Sequence, residues 1–391
     1  MKHALKNHFS STALLLQGGG ALGPYQAGVY EALSDAGIEP NCVAGISIGA
    51  INAALIAGNA PEDRVAKLRA FWEGVTMDDF RFVHPAIEYF MTWNKEKMKA
   101  FDTVSALRTL CFGIPGFFTM RPATHLMASA RSAAATSFCD TKPLRATLER
   151  LVDFDRINHG DMQFYVGATH VASGDFIRFD NEGHTITPDH IMASGALPPG
   201  LPAVVIDGER YWDGGLISNT PLQGLVENTL IKDTLVFQVD LWCAGGKFPE
   251  NIEEVYTRAK DIRFSSRTRA NTDRFREKHV LFHAISELLK ELPEDLKDSP
   301  PVKRLAKYAN DSVYNIVHLI YHNKGYEGYT KDFEFSRLSM EMHWKAGYED
   351  TVRTLAHPEV LQHPHNKEGV GIFDFSKESD AKNTKDMKNA A

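Results

Sequence analysis

Near the N-terminus, the spacing of apolar positions follows the rhythm of an α/β unit. Residues 12–17 are a short, nearly unbroken apolar run that stops at glycines, as a strand buried on both faces does. Residues 25–36 then repeat with helical spacing, placing Val29, Leu33 and Ala36 on one face. Pro24 stands in the first turn, where a missing N–H costs nothing, and Gly37 stops the run. Residues 41–46 read as a second strand and the alanine-rich 48–57 as a second helix. Strand, glycine loop, helix, strand, serine, helix is the order of an α/β sheet, whose site lies at the C-terminal ends of its strands.

Downstream, residues 61–72 have helical periodicity. Between 80 and 121 the pattern loosens and aromatics collect: Phe80, Phe82, Tyr89, Phe90, Trp93, Phe101, Phe112, Phe117 and Phe118. Within it, the turn-rich, greasy segment 111–118 fits either a lid or acyl-binding wall, or an insertion packed on the core. Residues 162–171 and 176–179 predict a hairpin turned by Ser173-Gly174-Asp175. A short helix over 190–195 leads into the proline-rich loop 197–202, Tyr211-Trp212 lead into Asp213, and 234–240 reads as another buried strand. After about residue 246 the pattern becomes helical and charged over 252–278. Residues 279–292 are amphipathic, and their stripe of Leu281, Ile285, Leu288, Leu289 and Leu292 is expected to be core. The division expected is an α/β domain over 10–245, a helical extension packed on it over 246–376, and a polar, disordered tail over 377–391.

Composition narrows the class. The chain has 391 residues, 43% hydrophobic and 24% charged, and its net charge of -7 offers no basic field for nucleic acid. The four cysteines are scattered, with no zinc spacing, and fit free thiols in a reducing compartment. No run reaches the roughly 18 apolar residues of a membrane span, and the N-terminal run is too short for a signal-peptide core. A cytoplasmic location is expected, with room for contact with a membrane from outside. Between residues 258 and 278 eight Lys/Arg outnumber three acids, a solvated face or a contact for anionic headgroups.

The candidate chemistry sits at the predicted strand ends. Gly45-Ile46-Ser47-Ile48-Gly49 fits Gly-x-Ser-x-Gly, the turn that exposes a serine nucleophile between strand and helix, with Gly45 and Gly49 letting the two crowd together. A tetrahedral intermediate needs N–H donors, and Gly18-Gly19-Gly20 can turn backbone amides inward beside Ser47. A serine hydroxyl also needs a base. None of the sixteen histidines has a local context marking it as partner. Asp213, followed by Gly214 and Gly215, does; it reads either as that base or as the cap of a glycine turn.

These blocks resemble the patatin-like phospholipases. The resemblance rests on Gly18-Gly19-Gly20-Ala21-Leu22-Gly23, on Gly45 to Gly49, on Ala193-Ser194-Gly195-Ala196-Leu197-Pro198, and on Asp213-Gly214-Gly215 with Asn219-Thr220-Pro221. It implies a three-layer α/β/α sheet with a nucleophile elbow, and a helical C-terminal extension like that of some bacterial members. It implies a serine acyl hydrolase acting on lipid carboxylic esters, with Ser47 as nucleophile and Asp213 as base. Gly18, Gly19, Gly20 and the Ile48 N–H would hold the oxyanion, the 193–198 segment would line the site, and neither cofactor nor metal would be needed. Leu22 departs from the pattern, since many members carry Arg or Lys there. Three other readings stay open. Gly18-x-Gly20-x-x-Gly23 also fits a dinucleotide fingerprint, although the second strand ends without the acid that fingerprint needs. A Ser–Asp–His hydrolase using a later histidine such as His279 or His318 is allowed by chain order, and so is a non-catalytic lipid-binding scaffold.

Overall fold

The computed structural model describes residues 7–76, 95–122, 127–130, 132–222 and 232–375. Its frame is a nine-stranded mixed sheet. The strands are β1 (Ser11–Leu16), β2 (Cys42–Gly45), β5 (Gln163–His170), β6 (Phe176–Asp180), β7 (Val204–Ile206), β8 (Glu209–Asp213), β9 (Thr234–Asp240), β10 (Tyr314–Ile320) and β11 (Val370–Asp374). Residues Thr119–Met120 (β3) and Cys139–Asp140 (β4) pair separately. The order β11-β10-β9-β1-β2-β5-β8-β7 turns back on itself at β1: the chain builds outward through β2 and β5, then returns to β1's other edge with β9. The ends of β1 and β9 are therefore a topological switch point, where open α/β sheets bind ligands.

Helices cover both faces. Leu14 and Leu16 of β1 point into the larger core with helices α1 (Pro24–Asp35), α2 (Ile48–Ala57) and α3 (Pro61–Val75). Ala13 and Leu15 point the other way, with Leu222 and Phe275. Burial on both sides is why β1 reads as an unbroken apolar run. Between α3 and β3 lies α4 (Lys95–Phe112), and α5 (Pro188–Ser194) precedes β7. The long α6 (Ile252–Glu291) carries Phe275, and α7 (Arg337–Leu355) lies on α1. The latter contact is close: a Cβ on Gly28 would stand 1.9 Å from the Trp344 carbonyl oxygen, and one on Gly347 2.0 Å from that of Tyr25.

The sheet, hairpin and first helices follow the expected pattern. The C-terminal region differs in two respects. It is mostly helical, but it also adds β10 and β11 to the main sheet, parallel to β9. The expected helices 252–278 and 279–292 form one helix of 40 residues, and the leucine stripe is not core: Leu281 and Leu288 are 58% and 51% exposed. The inward stripe is instead Asp261, Ser265, Thr272, Phe275, His279 and Ser286, at helical spacing. Its polar and small side chains hide it from a hydrophobicity pattern. Arg263, Arg274 and Lys278 are exposed, as a solvated face requires. The aromatics from Phe80 to Trp93 and the tail over 377–391 lie outside the described residues.

Candidate active site

Strand register brings Ser47 and Asp213 together. Tyr165 of β5 pairs with Ala44 of β2 on one edge and Asp180 of β6 on the other. Farther along, Ala168 pairs with Ile177 of β6 and with Asp213 of β8. β2 and β8 thus share one edge of β5, β2 ending opposite Val166 and β8 ending opposite Ala168. One is parallel to β5 and the other antiparallel, so their C-terminal ends face each other. The elbow rises from the first, and Asp213 is the last residue of the second.

The elbow is tight. Ser47 has φ 56° and ψ -123°, a conformation rare for a residue with a side chain. It can form because Gly45 and Gly49 lack side chains: a Cβ on Gly45 would meet the Gly49 carbonyl oxygen at 2.1 Å, and one on Gly49 that of Leu16 at 2.2 Å. The Ser47 N–H donates to the Ser194 hydroxyl at 3.0 Å, which ties the Ala193–Pro198 segment to the elbow. The Ser47 side chain does not cap α2.

Asp213 is 2% exposed, and its Oδ1 accepts the Gly215 N–H at 2.7 Å. Burial pushes its carboxyl up to about 6, against hydrogen bonds from Ser47 and Gly215 that pull it down. The capping and active-site readings of Asp213 are thus compatible: one carboxylate caps the glycine turn and meets Ser47. Gly214 is pressed on the Gly167 carbonyl, where a Cβ would stand 2.4 Å away.

The glycine-rich loop leaves β1 beside the elbow. Gly20 takes φ 56°, and a Cβ there would meet the Asp332 carbonyl oxygen at 2.3 Å. Asn219 grips Gly18 at both backbone groups, accepting its N–H at 3.2 Å and donating to its carbonyl at 3.0 Å. The Trp242 indole N–H donates to the same carbonyl at 2.8 Å. Gly18 is thereby an anchor. Among the described residues no hydrogen-bond acceptor meets the N–H groups of Gly19, Gly20 or Ile48. A buried polar chain braces the loop from behind. Trp72 donates to Asn52 at 3.0 Å, Asn52 to Gln26 at 2.8 Å and to the Gly23 carbonyl at 3.0 Å, and Gln26 to the Gln17 carbonyl at 2.6 Å. Sequence reasoning gave no role to Asn52, Gln26, Trp72 or Trp242; a polar residue inside an otherwise apolar helix, as Asn52 is, was the one available sign.

These groups border one cavity of about 340 Å³. Gly18, Gly19, Gly20, Ser47, Ile48, Asp213 and Gly215 lie on its polar side, and Leu110, Phe117, Phe118, Leu144 and Phe335 on its apolar side. The 111–118 segment thus supplies a wall of the cavity through Phe117 and Phe118. The C-terminal region contributes Phe264, Asp332, Phe333 and Phe335. No histidine is among the described residues that line it. His318 bonds Asp240, and His279 packs on Tyr314. Leu22 is fully buried in the core beneath the loop. Among the described residues no group of side chains could hold a metal ion, and no helix is long and apolar enough to cross a membrane.

The chain matches two family models: residues 14–226 match one described as patatin-like phospholipase, and residues 262–367 one described as patatin phospholipase. Among solved structures it is similar to VipD from Legionella pneumophila, at 17% identity with a TM-score of 0.39, over 94% of this chain and 72% of that one. No curated protein matches. The first model spans more than half of the chain, which therefore belongs to the patatin-like phospholipase family. Members of that family are generally lipid acyl hydrolases.

Proposed function

We propose that the protein is a serine acyl hydrolase that cleaves carboxylic esters of lipids through a Ser47–Asp213 dyad. The observation that carries this reading is the meeting of a strained, uncapped Ser47 with the buried Asp213 at the polar end of an apolar cavity that no described histidine lines. Asp213 takes the Ser47 proton as Oγ attacks the ester carbon. The N–H groups of Gly19, Gly20 and Ile48 receive the charge that develops on the carbonyl oxygen, with Ile48 at the positive end of α2. Gly18 holds the loop in place. Asp213 then passes its proton to the departing alcohol, leaving an acyl group on Ser47. Water, deprotonated by the same carboxylate, attacks that ester, and the fatty acid leaves as Ser47 regains its proton.

The acyl chain occupies the apolar side of the cavity, against Phe117, Phe118 and Phe335. Hydrolysis of nitrophenyl esters of graded acyl length is expected to peak at chains long enough to fill that side. The Ser47→Ala variant, folded by circular dichroism, is expected to lose turnover by about 10⁴-fold or more. Turnover by purified Ser47→Ala at the wild-type rate would end the proposal.

A further inference from the structure

A second cavity, of about 410 Å³, lies between the loop after β9, the loop after β10 and α6. Its lining is charged and polar, in contrast to the acyl cavity, and it contains a nucleophile with a base. Cys243 Sγ stands 3.8 Å from His322 Nδ1. The turn that carries the thiol is built around it. The Arg258 guanidinium gathers three successive carbonyls, those of Cys243 at 3.4 Å, Ala244, and Gly245 at 3.3 Å. Asp261 of α6, which lines the cavity, is occupied by Lys331 at 2.6 Å and by Asn323 at 2.8 Å. Glu327 is held by His343 at 2.8 Å, and Lys99 by Glu253 at 2.6 Å. Glu254, which accepts from Asn251 at 2.7 Å and from the Glu250 N–H at 2.8 Å, together with Lys247 and Lys324, completes the charged lining.

The thiols differ accordingly. Burial pushes Cys42 up to about 12 and Cys139 up to about 11. Burial and, to a lesser degree, the Asp261 carboxylate push Cys243 upward, but the His322 ring and the Gly245 N–H outweigh them and bring the thiol below its ordinary value. Cys111 is exposed.

We propose that Cys243 and His322 form a thiolate–imidazolium pair, a second nucleophilic site that small hydroperoxides oxidise and that is coupled to the glycine-rich loop. The thiolate sulfur attacks one peroxide oxygen; the S–O bond forms as the O–O bond breaks. The departing hydroxide of hydrogen peroxide, or the alkoxide of an alkyl hydroperoxide whose terminal oxygen is attacked, takes the proton of the His322 imidazolium and leaves as water or alcohol. Sulfur is oxidised to sulfenic acid and the peroxide is reduced. The coupling runs through two neighbouring residues: Trp242 donates to the Gly18 carbonyl, and the Leu241 N–H donates to Gln17 Oε1 at 2.7 Å. An added oxygen on Cys243 has to be accommodated in a turn pinned by Arg258, and the strain falls on Trp242.

The thiol half of this inference stands apart from the hydrolase reading; the coupling half rests on it. The test uses the full chain, treated with hydrogen peroxide and dimedone, and with iodoacetamide over a range of pH, each thiol being followed by peptide mass spectrometry. Cys243 is expected to take dimedone before Cys111, and to alkylate at neutral pH about threefold to tenfold faster than in His322→Gln. Preferential labelling of Cys111, or unchanged alkylation in His322→Gln, overturns the thiolate pair. Ester turnover is expected to fall after sulfenylation in the wild type and to resist peroxide in Cys243→Ser. Unchanged turnover of fully sulfenylated wild type overturns the coupling.

Discussion

At the residue scale, the buried carboxyl of Asp213 links function to stability. Its pKa in the folded protein is about 6, above the roughly 3.9 of an exposed aspartate. The folded state therefore holds this proton more tightly than the unfolded state does, and the group's contribution to stability is lost as pH rises from about 4 through about 6. Asp213→Asn removes that penalty. Relative to wild type, the variant is expected to gain up to about 3 kcal/mol between acid and neutral pH, read from urea midpoints at both. The same substitution is expected to abolish ester turnover. In the wild type, kcat/KM should fall as pH drops below about 6 and the base is protonated; a profile flat to pH 4 would contradict Asp213 as base. Ser194→Ala leaves the Ser47 N–H without its acceptor, and is expected to cost about 1–3 kcal/mol of stability and to lower kcat more than it changes KM. The Ser47 and Asp213 candidates were legible because each sits in a short block of glycines whose absence of side chains the turn demands. Ser194 stood in a block recognisable only by resemblance, and nothing in its neighbourhood announced that it would accept the elbow's N–H.

At the scale of elements, legibility followed burial on one side or two. β1 and β2 are nearly continuous apolar runs, β9 carries Leu235-Val236-Phe237, and α3 has a clear stripe, so they stood out. β10 carries Asn315 and His318 inside its buried run; the Asn315 amide N–H donates to the Val360 carbonyl at 2.8 Å and His318 meets Asp240 at 3.3 Å. Such polar residues break the pattern that a strand is recognised by, although the fold provides for them. α1 showed one apolar face and is buried nearly all round, because α7 covers the other face. That contact is testable. Gly28→Ala and Gly347→Ala each drive a methyl into a backbone carbonyl of the facing helix, and should lower stability by more than about 2 kcal/mol. Gly74→Ala in α3, whose added carbon meets nothing within 4 Å, should be neutral or stabilising by up to about 1 kcal/mol. Equal thermal shifts for all three would show that the close packing of α1 on α7 is wrong.

At the scale of the whole molecule, the C-terminal region completes both the sheet and the cavity. It supplies β10 and β11, covers α1 with α7, and places Phe264, Phe333 and Phe335 at the acyl cavity. Polar contacts across the boundary fasten it there: Arg69 to Glu341 at 2.7 Å, Tyr25 to Asp350 at 2.8 Å and Tyr348 to Asp35 at 2.9 Å. A chain ending at residue 245 would expose the edge of β9 and the outer face of α1. We expect it to be insoluble or to lack a cooperative thermal transition, whereas a soluble, active 1–245 fragment would make the region an independent extension. The change of composition near residue 246 suggested a boundary because helical, charged sequence follows it. It does not mark a break in the core, because pairing between β9 and β10 is long-range and leaves no local trace.

The account turns on Ser47, and trapping the nucleophile tests it most directly. Wild-type protein treated with a lipid-like fluorophosphonate and measured by intact and peptide mass spectrometry should carry a single phosphonyl adduct on Ser47. Ser47→Ala should carry none, and Asp213→Asn should label far more slowly. An adduct on another residue, or equal labelling of Ser47→Ala, would contradict the dyad and with it the proposed reaction.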